Sequence, residues 1–435
     1  MSLNQILSLK KGEGKFLLIA VLFIFSLFAS YSLLRPIREA LGISGGTGEL
    51  KWLFLGTFIA TIVGSILAMI LSGMIKRKLY TDFIYGFFAL NLIGFFIILH
   101  QISQGSEAYL IVARSFYIWV SVFNIFVIST AWSLLADVFS KERSARLFGI
   151  ISAGASLGGI FGAFFVSVLS KFIDVPSFIF ISIICLGVSI VLKNLLIKEA
   201  LGLEELNLQS GFVSIKDRFD KPIGSKNPFV GFLLIIKSRY LLALLGFILL
   251  LTSVSTFLYM EQARVISGMF ESREARAAAF ANIDFIVQLS SFVIQIFITS
   301  KIVQFFGIKW LLGTLGFVVA LGFVLLVFYP AFGVLVLVMS IRRVGEYALV
   351  KPGREMLFVP LDSESKYKVK NFLDTVVYRA GDSMSAALEG TIAKISITAV
   401  LFVGALISFI WGSLGVYLGK RYEKEEFKFK NEEIK

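Results

Sequence analysis

Apolar residues along this chain come in runs of about twenty, separated by short polar turns. They fall near 16–34, 52–74, 80–99, 109–136, 148–170, 177–197, 240–260, 279–299, 308–328, 331–350, 372–393 and 395–418, which makes twelve. A helix needs about 20 apolar residues to cross the hydrocarbon of a bilayer, where no backbone polar group is left unpaired. The pattern therefore predicts an all-α membrane protein of twelve transmembrane helices. The first run follows Lys10, Lys11 and Lys15, but no small-residue cleavage site follows it, so it reads as a retained helix.

Composition agrees with the pattern. Of 435 residues, 57% are hydrophobic and 16% charged, where a soluble chain carries about 25% charged residues. Cys185 is the lone cysteine and His100 the lone histidine, so the chain has no internal disulfide, and no metal site or cofactor is expected. Embedded enzyme chemistry would need a nucleophile with a base or a metal cluster, and no enzymatic turnover is expected.

The net charge of +13 is explained by topology. With the N-terminus, the even-numbered connections and the C-terminal tail on one side, 28 of the 42 basic residues fall there and 8 on the other side. Basic residues concentrate in cytoplasmic loops, so both termini are predicted cytoplasmic and no nucleic-acid partner is required. The remaining six, Arg114, Arg342, Arg343, Lys351, Arg354 and Arg379, fall within or at the ends of spans.

A polar stretch from about Lys198 to Arg239 divides the runs six and six. The expected organisation is an N-terminal six-helix half over 1–199, a cytoplasmic linker over 200–239, a second half over 240–420 and a charged tail over 421–435. The halves echo each other at a nearly constant offset: Tyr31 to Arg38 faces Phe257 to Arg264, Asp137-x-x-Ser140-Lys141 faces Asp362-x-x-Ser365-Lys366, and Ser72 faces Ser300. An even number of spans per repeat gives both halves the same orientation, about an axis along the membrane normal. Two six-helix pseudo-repeats of this kind resemble the major facilitator superfamily.

Charge within spans costs roughly 2.5–3.5 kcal/mol per residue on insertion scales, so a cluster there needs a reason. The segment Ser340 to Glu355 holds Arg342, Arg343, Glu346, Lys351, Arg354 and Glu355, and the next span brings Asp374, Arg379, Asp382 and Glu389. Arg342 and Glu346 are i, i+4, as are Lys351 and Glu355, while Arg379 and Asp382 are i, i+3, so mutual neutralisation is one reading and a substrate or ion path the other. Pro352-Gly353 interrupts the helical hydrogen bonding and marks either a site, a hinge or a simple kink. Arg35, Arg38 and Glu39 end the first span opposite Glu261 and Arg264 at the end of the seventh. Arginines there either receive phosphate or carboxylate oxygens or snorkel to the interface. Arg114, with Asn124, is the candidate of span four. The charged loops holding Asp137 and Asp362 read as gate elements, and Asp374, Asp382 and Glu389 as coupling carboxylates. The fifth span is studded with Gly149, Gly154, Gly158, Gly159 and Gly162, a pattern that permits close helix contact.

The residues also resemble the nucleotide transporter family of ATP/ADP translocases. Leu34-Arg35-Pro-Ile-Arg38-Glu39 is similar to that family's first-span ending, with Arg38 in a lysine's place. Lys351-Pro-Gly-Arg354-Glu355-Met-Leu-Phe-Val-Pro360-Leu-Asp362, trailed by Lys366, Lys368 and Lys370, resembles its Asp-Pro-x-Lys-Glu-Met-x-x-x-Pro-Leu-Asp box. The resemblance implies obligatory exchange of ATP for ADP, with Arg38, Glu261, Arg264 and Arg354 at the phosphates. Two departures stand: Tyr117 to Asn124 carries no acidic residue, and arginine replaces lysine at phosphate positions.

The expected function is thus an antiporter working by alternating access through a central basic cavity, with Arg35, Arg38, Arg114, Glu261, Arg264, Arg342, Lys351 and Arg354 as substrate residues. Asp137, Asp362, Asp374, Arg379, Asp382 and Glu389 are the coupling or gating set. The alternative is a proton-coupled facilitator of another organic solute; a non-transporting receptor is the reading outside transport. A nucleotide or other phosphorylated anion and membrane lipids are the expected partners, and a bacterial inner membrane the expected location.

Overall fold

The computed structural model describes residues 9–10, 12–42, 50–103, 106–169, 172, 175–205, 215–224, 227, 230–269 and 287–424, and these are helical throughout apart from turns and one isolated bridge. In chain order the long helices are α1 (Glu13–Gly42), α2 (Leu50–Ser72), α3 (Arg77–Gln101), α4 (Glu107–Val138), α5 (Lys141–Leu169) and α6 (Val175–Glu205). Two short helices follow, α7 (Ile215–Phe219) and α8 (Val230–Lys237). Then come α9 (Arg239–Met269), α10 (Val287–Phe306), α11 (Ile308–Phe328), α12 (332–358), α13 (363–393) and α14 (Ile397–Glu423). Ten of these are long and apolar enough to cross a membrane. The other two long helices, α12 and α13, coincide with the predicted tenth and eleventh spans, and their charged residues are what separate them from the ten. The predicted start of the eighth span, before Val287, lies outside the described residues.

Local chemistry sets several boundaries. The Ser106 hydroxyl accepts from Tyr109 N at 3.1 Å and caps α4, with Glu107 in the first turn facing the positive end of the helix dipole. Ser396 starts α14 in the same way. Gly307 turns α10 into α11 at φ +81°, a conformation that carries no penalty only without a Cβ.

By contacts the chain forms two compact units. Unit 1 comprises 1–140, 150–231 and 362–375; unit 2 comprises 141–149, 232–361 and 376–435. In unit 1, α1 packs along α6 through paired hydroxyls, Ser26 with Ser189 and Ser30 with Ser182, both 2.7 Å apart. On another face of α1, Gly154, Gly158 and Gly162 of α5 lie against Val21, Phe25 and Ala29, so closely that a Cβ on Gly158 would penetrate the Phe25 carbonyl. Small residues at i, i+4 and i+8 let two backbones meet, which is how membrane helices gain dispersion contact. Unit 2 repeats the device where Gly313 and Gly316 of α11 meet Gly412 and Gly415 of α14.

Part of the predicted linker lies among the described residues. Arg77 N donates to Lys221 O and Ile223 N donates to Ser72 O, each at 2.9 Å, so residues 221–223 run as a short antiparallel strip beside the turn between α2 and α3. Phe219 of α7 is buried below this strip, against the Arg77 guanidinium.

Candidate functional site

Unit 2 holds a dense charge cluster, and its geometry starts from Pro352. Proline has no N–H, so the Ala348 carbonyl loses its helical donor. One residue earlier Lys351 N reaches back to Glu346 O across a π turn, Glu346–Val350, and thereby passes over the Tyr347 carbonyl. Both freed carbonyls are taken by α10: Gln295 Nε2 donates to Tyr347 O at 2.9 Å and Thr299 Oγ1 to Ala348 O at 2.6 Å. The helix thus continues through Pro352 instead of breaking.

The π turn also changes which side chains meet. Arg342 Nη1 lies 2.8 Å from Glu346 Oε2, the expected i, i+4 pair, and donates to Ser255 Oγ of α9 at 2.8 Å. Lys351 does not pair with Glu355 as the α-helical spacing predicts. Its ammonium lies 4.0 Å from Glu346, at the i, i+5 spacing of a π turn, and 4.1 Å from the Tyr347 ring centroid. Glu355 receives Arg354 Nη2 at 3.1 Å. Glu346 is therefore a buried carboxylate within electrostatic reach of Arg342, Arg343, Lys351 and Arg354. Arg379 and Asp382 lie 3.9 Å apart one turn along α13. Among these residues cations outnumber carboxylates five to three.

A second constellation in unit 2 joins α9 to α13. The Arg264 guanidinium donates to both Glu261, one turn before it, and Glu389. Glu261 borders a small cavity of about 120 Å³ walled by residues such as Leu326, Pro330 and Leu401.

In unit 1 the Arg38 guanidinium rests 5.2 Å from the Tyr117 ring centroid and donates to Ser121 Oγ at 3.3 Å. Arg114, Tyr117 and Ser121 follow at i, i+3 and i+7 and share one stripe of α4. Tyr117 was not among the sequence candidates; its helical spacing from Arg114 is the signal that points to it. Arg35 is exposed, and the side chain of Glu39 lies outside the described residues.

The other end of α4 carries Asp137, fully buried, with Arg77 Nη1 at 3.0 Å, Lys366 Nζ at 3.4 Å and Arg218 Nη1 at 3.5 Å. Arg77 and Arg218 carry no sequence signal, because this cluster is assembled from α3, α4, α7 and α13. Lys366, Lys368 and Lys370 are all buried, and each meets a carboxylate: Asp137, Glu364 at 3.1 Å and Asp374 at 2.6 Å. Asp374 also accepts from Ser129 at 3.2 Å. Asp362 accepts from Ser365 N at 3.0 Å and from Ser365 Oγ at 2.8 Å, an N-cap arrangement that starts α13. Outside the membrane segments, Lys78 donates to Asp220 at 2.6 Å and holds that carboxyl below the usual carboxylate range. Among the described residues no group of three His, Cys, Asp or Glu side chains has the arrangement of a metal site.

The fold has solved relatives. The human organic anion transporter MFSD10 superposes with a TM-score of 0.66 at 14% identity, over 93% of this chain and 100% of that one. A bacterial homologue of the iron transporter ferroportin, in its outward-facing state, gives 0.66 at 13% identity over 95% and 100%. The proton:xylose symporter XylE gives 0.59 at 13% identity over 94% of each chain. Such identities establish likeness of fold alone. No curated protein sequence matches the chain. A family profile does, over residues 16–353, most of the length. The chain is thus a multi-pass membrane protein that belongs to the Major Facilitator Superfamily.

Proposed function

We propose that this transporter carries organic anions by alternating access, and that the anion is phosphorylated, with ATP and ADP as the exchanged pair. One observation carries the reading: the surplus of cations around Glu346, where Arg342, Arg343, Lys351, Arg354 and Arg379 stand against three carboxylates, Glu346, Glu355 and Asp382. Unbalanced positive charge inside membrane helices is costly, and a polyanionic substrate offsets that cost when it binds. In unit 1, Arg38 beside the Tyr117 ring offers a further cationic contact and an aromatic face for a base, with Arg114 on the same stripe of α4 as Tyr117. The resemblance of the 351–370 segment to ATP/ADP translocases supplies the nucleotide, and MFSD10, named an organic anion transporter, is a fold neighbour of matching substrate charge. We assign the protein to a bacterial inner membrane with both termini cytoplasmic, on the distribution of basic residues.

A second reading is favoured by a different constellation. Arg264 is shared by Glu261 and Glu389, and a guanidinium between two carboxylates leaves one of them able to take a proton. On that reading the substrate is another organic anion and a proton gradient drives it.

Purified protein in liposomes preloaded with ADP, phosphate or buffer separates the two. Labelled ATP uptake that requires internal ADP and falls in Arg354→Gln supports exchange. Absence of uptake and of thermal stabilisation by any nucleotide, in folded protein, refutes the nucleotide assignment. Uptake of a non-nucleotide anion that follows an imposed pH gradient and is lost in Glu261→Gln supports the second reading.

A further inference from the structure

A large cavity of unit 1 involves none of these charged groups. Helices α2 and α3 both pack on α4 but hardly touch each other, and the trough between them has a volume of about 810 Å³. Trp119 and Phe126 of α4 form its floor, Leu67 and Met74 one wall, and Phe83 and Phe95 the other. Apart from the Ser115 hydroxyl and the Trp119 indole N–H, its side chains are apolar. Leu67 is 61% and Phe83 52% exposed, so the trough is open along its length and is not a sealed void. From Phe83 to Phe95 it runs about 18 Å at 1.5 Å per residue, over half the roughly 30 Å of a bilayer's hydrocarbon.

Water has too few polar partners there to fill this space, and an empty trough forfeits the dispersion contacts of its lining. In a bilayer the available filler is an acyl chain. The Met74 end of the trough specifies the headgroup. It lies beside the turn bearing Lys76 and Lys78, against which the linker strip is docked, and Lys76, Lys78, Lys216 and Lys221 are all exposed, with Asp217 and Asp220 as the carboxylates of the same corner. Lys76 and Lys78 share Asp220, at 3.9 and 2.6 Å, which leaves this corner with net positive charge. The geometry points to a resident anionic phospholipid, with one acyl chain lying between α2 and α3 and its phosphate at the Lys76 and Lys78 corner. The site stands apart from the transported substrate, whichever anion that is.

The test is native mass spectrometry of the full-length protein, released from detergent after incubation with palmitoyl-oleoyl phosphatidylglycerol or phosphatidylcholine. The expected result is retained phosphatidylglycerol that is lost when Val63→Trp and Leu67→Trp together fill the trough. It is kept when Leu321→Trp and Leu325→Trp together place two tryptophans at exposed positions of α11. Lys76→Gln with Lys78→Gln should lower the preference for phosphatidylglycerol over phosphatidylcholine by about fivefold per lysine. Size-exclusion and thermal unfolding report whether each variant is folded; if the filled variant is not, the lysine variant decides. Equal retention by the filled variant, no retained lipid, or an unchanged headgroup preference in the lysine variant overturns the proposal. So does a dimer that the filled variant abolishes, which would assign the trough to a second copy of the chain.

Discussion

The hydroxyl of Thr299 donates at 2.6 Å to the Ala348 carbonyl, the group that Pro352 deprives of its own helical donor. A neighbouring helix thereby completes the hydrogen bonding of α12, and in apolar surroundings an unpaired carbonyl costs more than the net worth of a hydrogen bond. Thr299→Val keeps the shape and removes the donor, and should destabilise the protein by about 1–3 kcal/mol. Thr299→Ser should restore most of the loss. Denaturant unfolding in detergent measures both.

Asp137 is the shared partner of three cations, two of them buried with it. Its loss strands Arg77 and Lys366, so Asp137→Ala should cost about 3–5 kcal/mol. Arg218 is 30% exposed, and Arg218→Gln should cost under about 1 kcal/mol. If the two variants unfold at the same denaturant concentration, the central role given to Asp137 is wrong.

The contact of α5 with α1 discriminates between adjacent glycines. Gly158→Ala places a methyl group into the Phe25 carbonyl and should destabilise by about 1–3 kcal/mol, since the obstruction is backbone. At Gly159 the nearest atom to a new Cβ is Ser32 Oγ at 3.7 Å, so Gly159→Ala should be neutral or stabilising by up to about 1 kcal/mol. The difference between their melting temperatures is the quantity to read.

Asp220 gives a pH dependence of defined sign. Its carboxyl titrates below the usual value in the folded protein, chiefly through the Lys78 hydrogen bond. The contribution is therefore complete above the unfolded value of about 3.9 and disappears as pH falls through the lower native value. Wild type should melt above Asp220→Asn at neutral pH, and the gap should close as pH falls below the unfolded carboxyl's value of about 3.9. A gap that widens on acidification would contradict this linkage.

Much of the helix order was legible because a span announces itself in about twenty consecutive residues. The Arg342 and Glu346 pair was legible for a similar reason, since both lie on one regular turn. Lys351 misled: the inserted residue of the π turn brings Glu346 within its reach at i, i+5, and Glu355 is taken by Arg354 instead. Arg77, Arg218 and Lys366 were invisible as a group because nothing local records that α3, α7 and α13 converge on Asp137. The capping position of Asp362 is legible in retrospect, three residues ahead of Ser365.

The strip at 221–223 alters what the long connection between α6 and α9 can do. Hydrogen-bonded at Ser72 and Arg77, with Arg218 on Asp137 and Asp220 on Lys78, this stretch is stapled to unit 1 by contacts that do not depend on the peptide bonds upstream. Proteolysis between Glu205 and Ile215 would therefore cut the polypeptide without releasing its downstream piece. Two fragments divided there would carry their own instructions for reassembly.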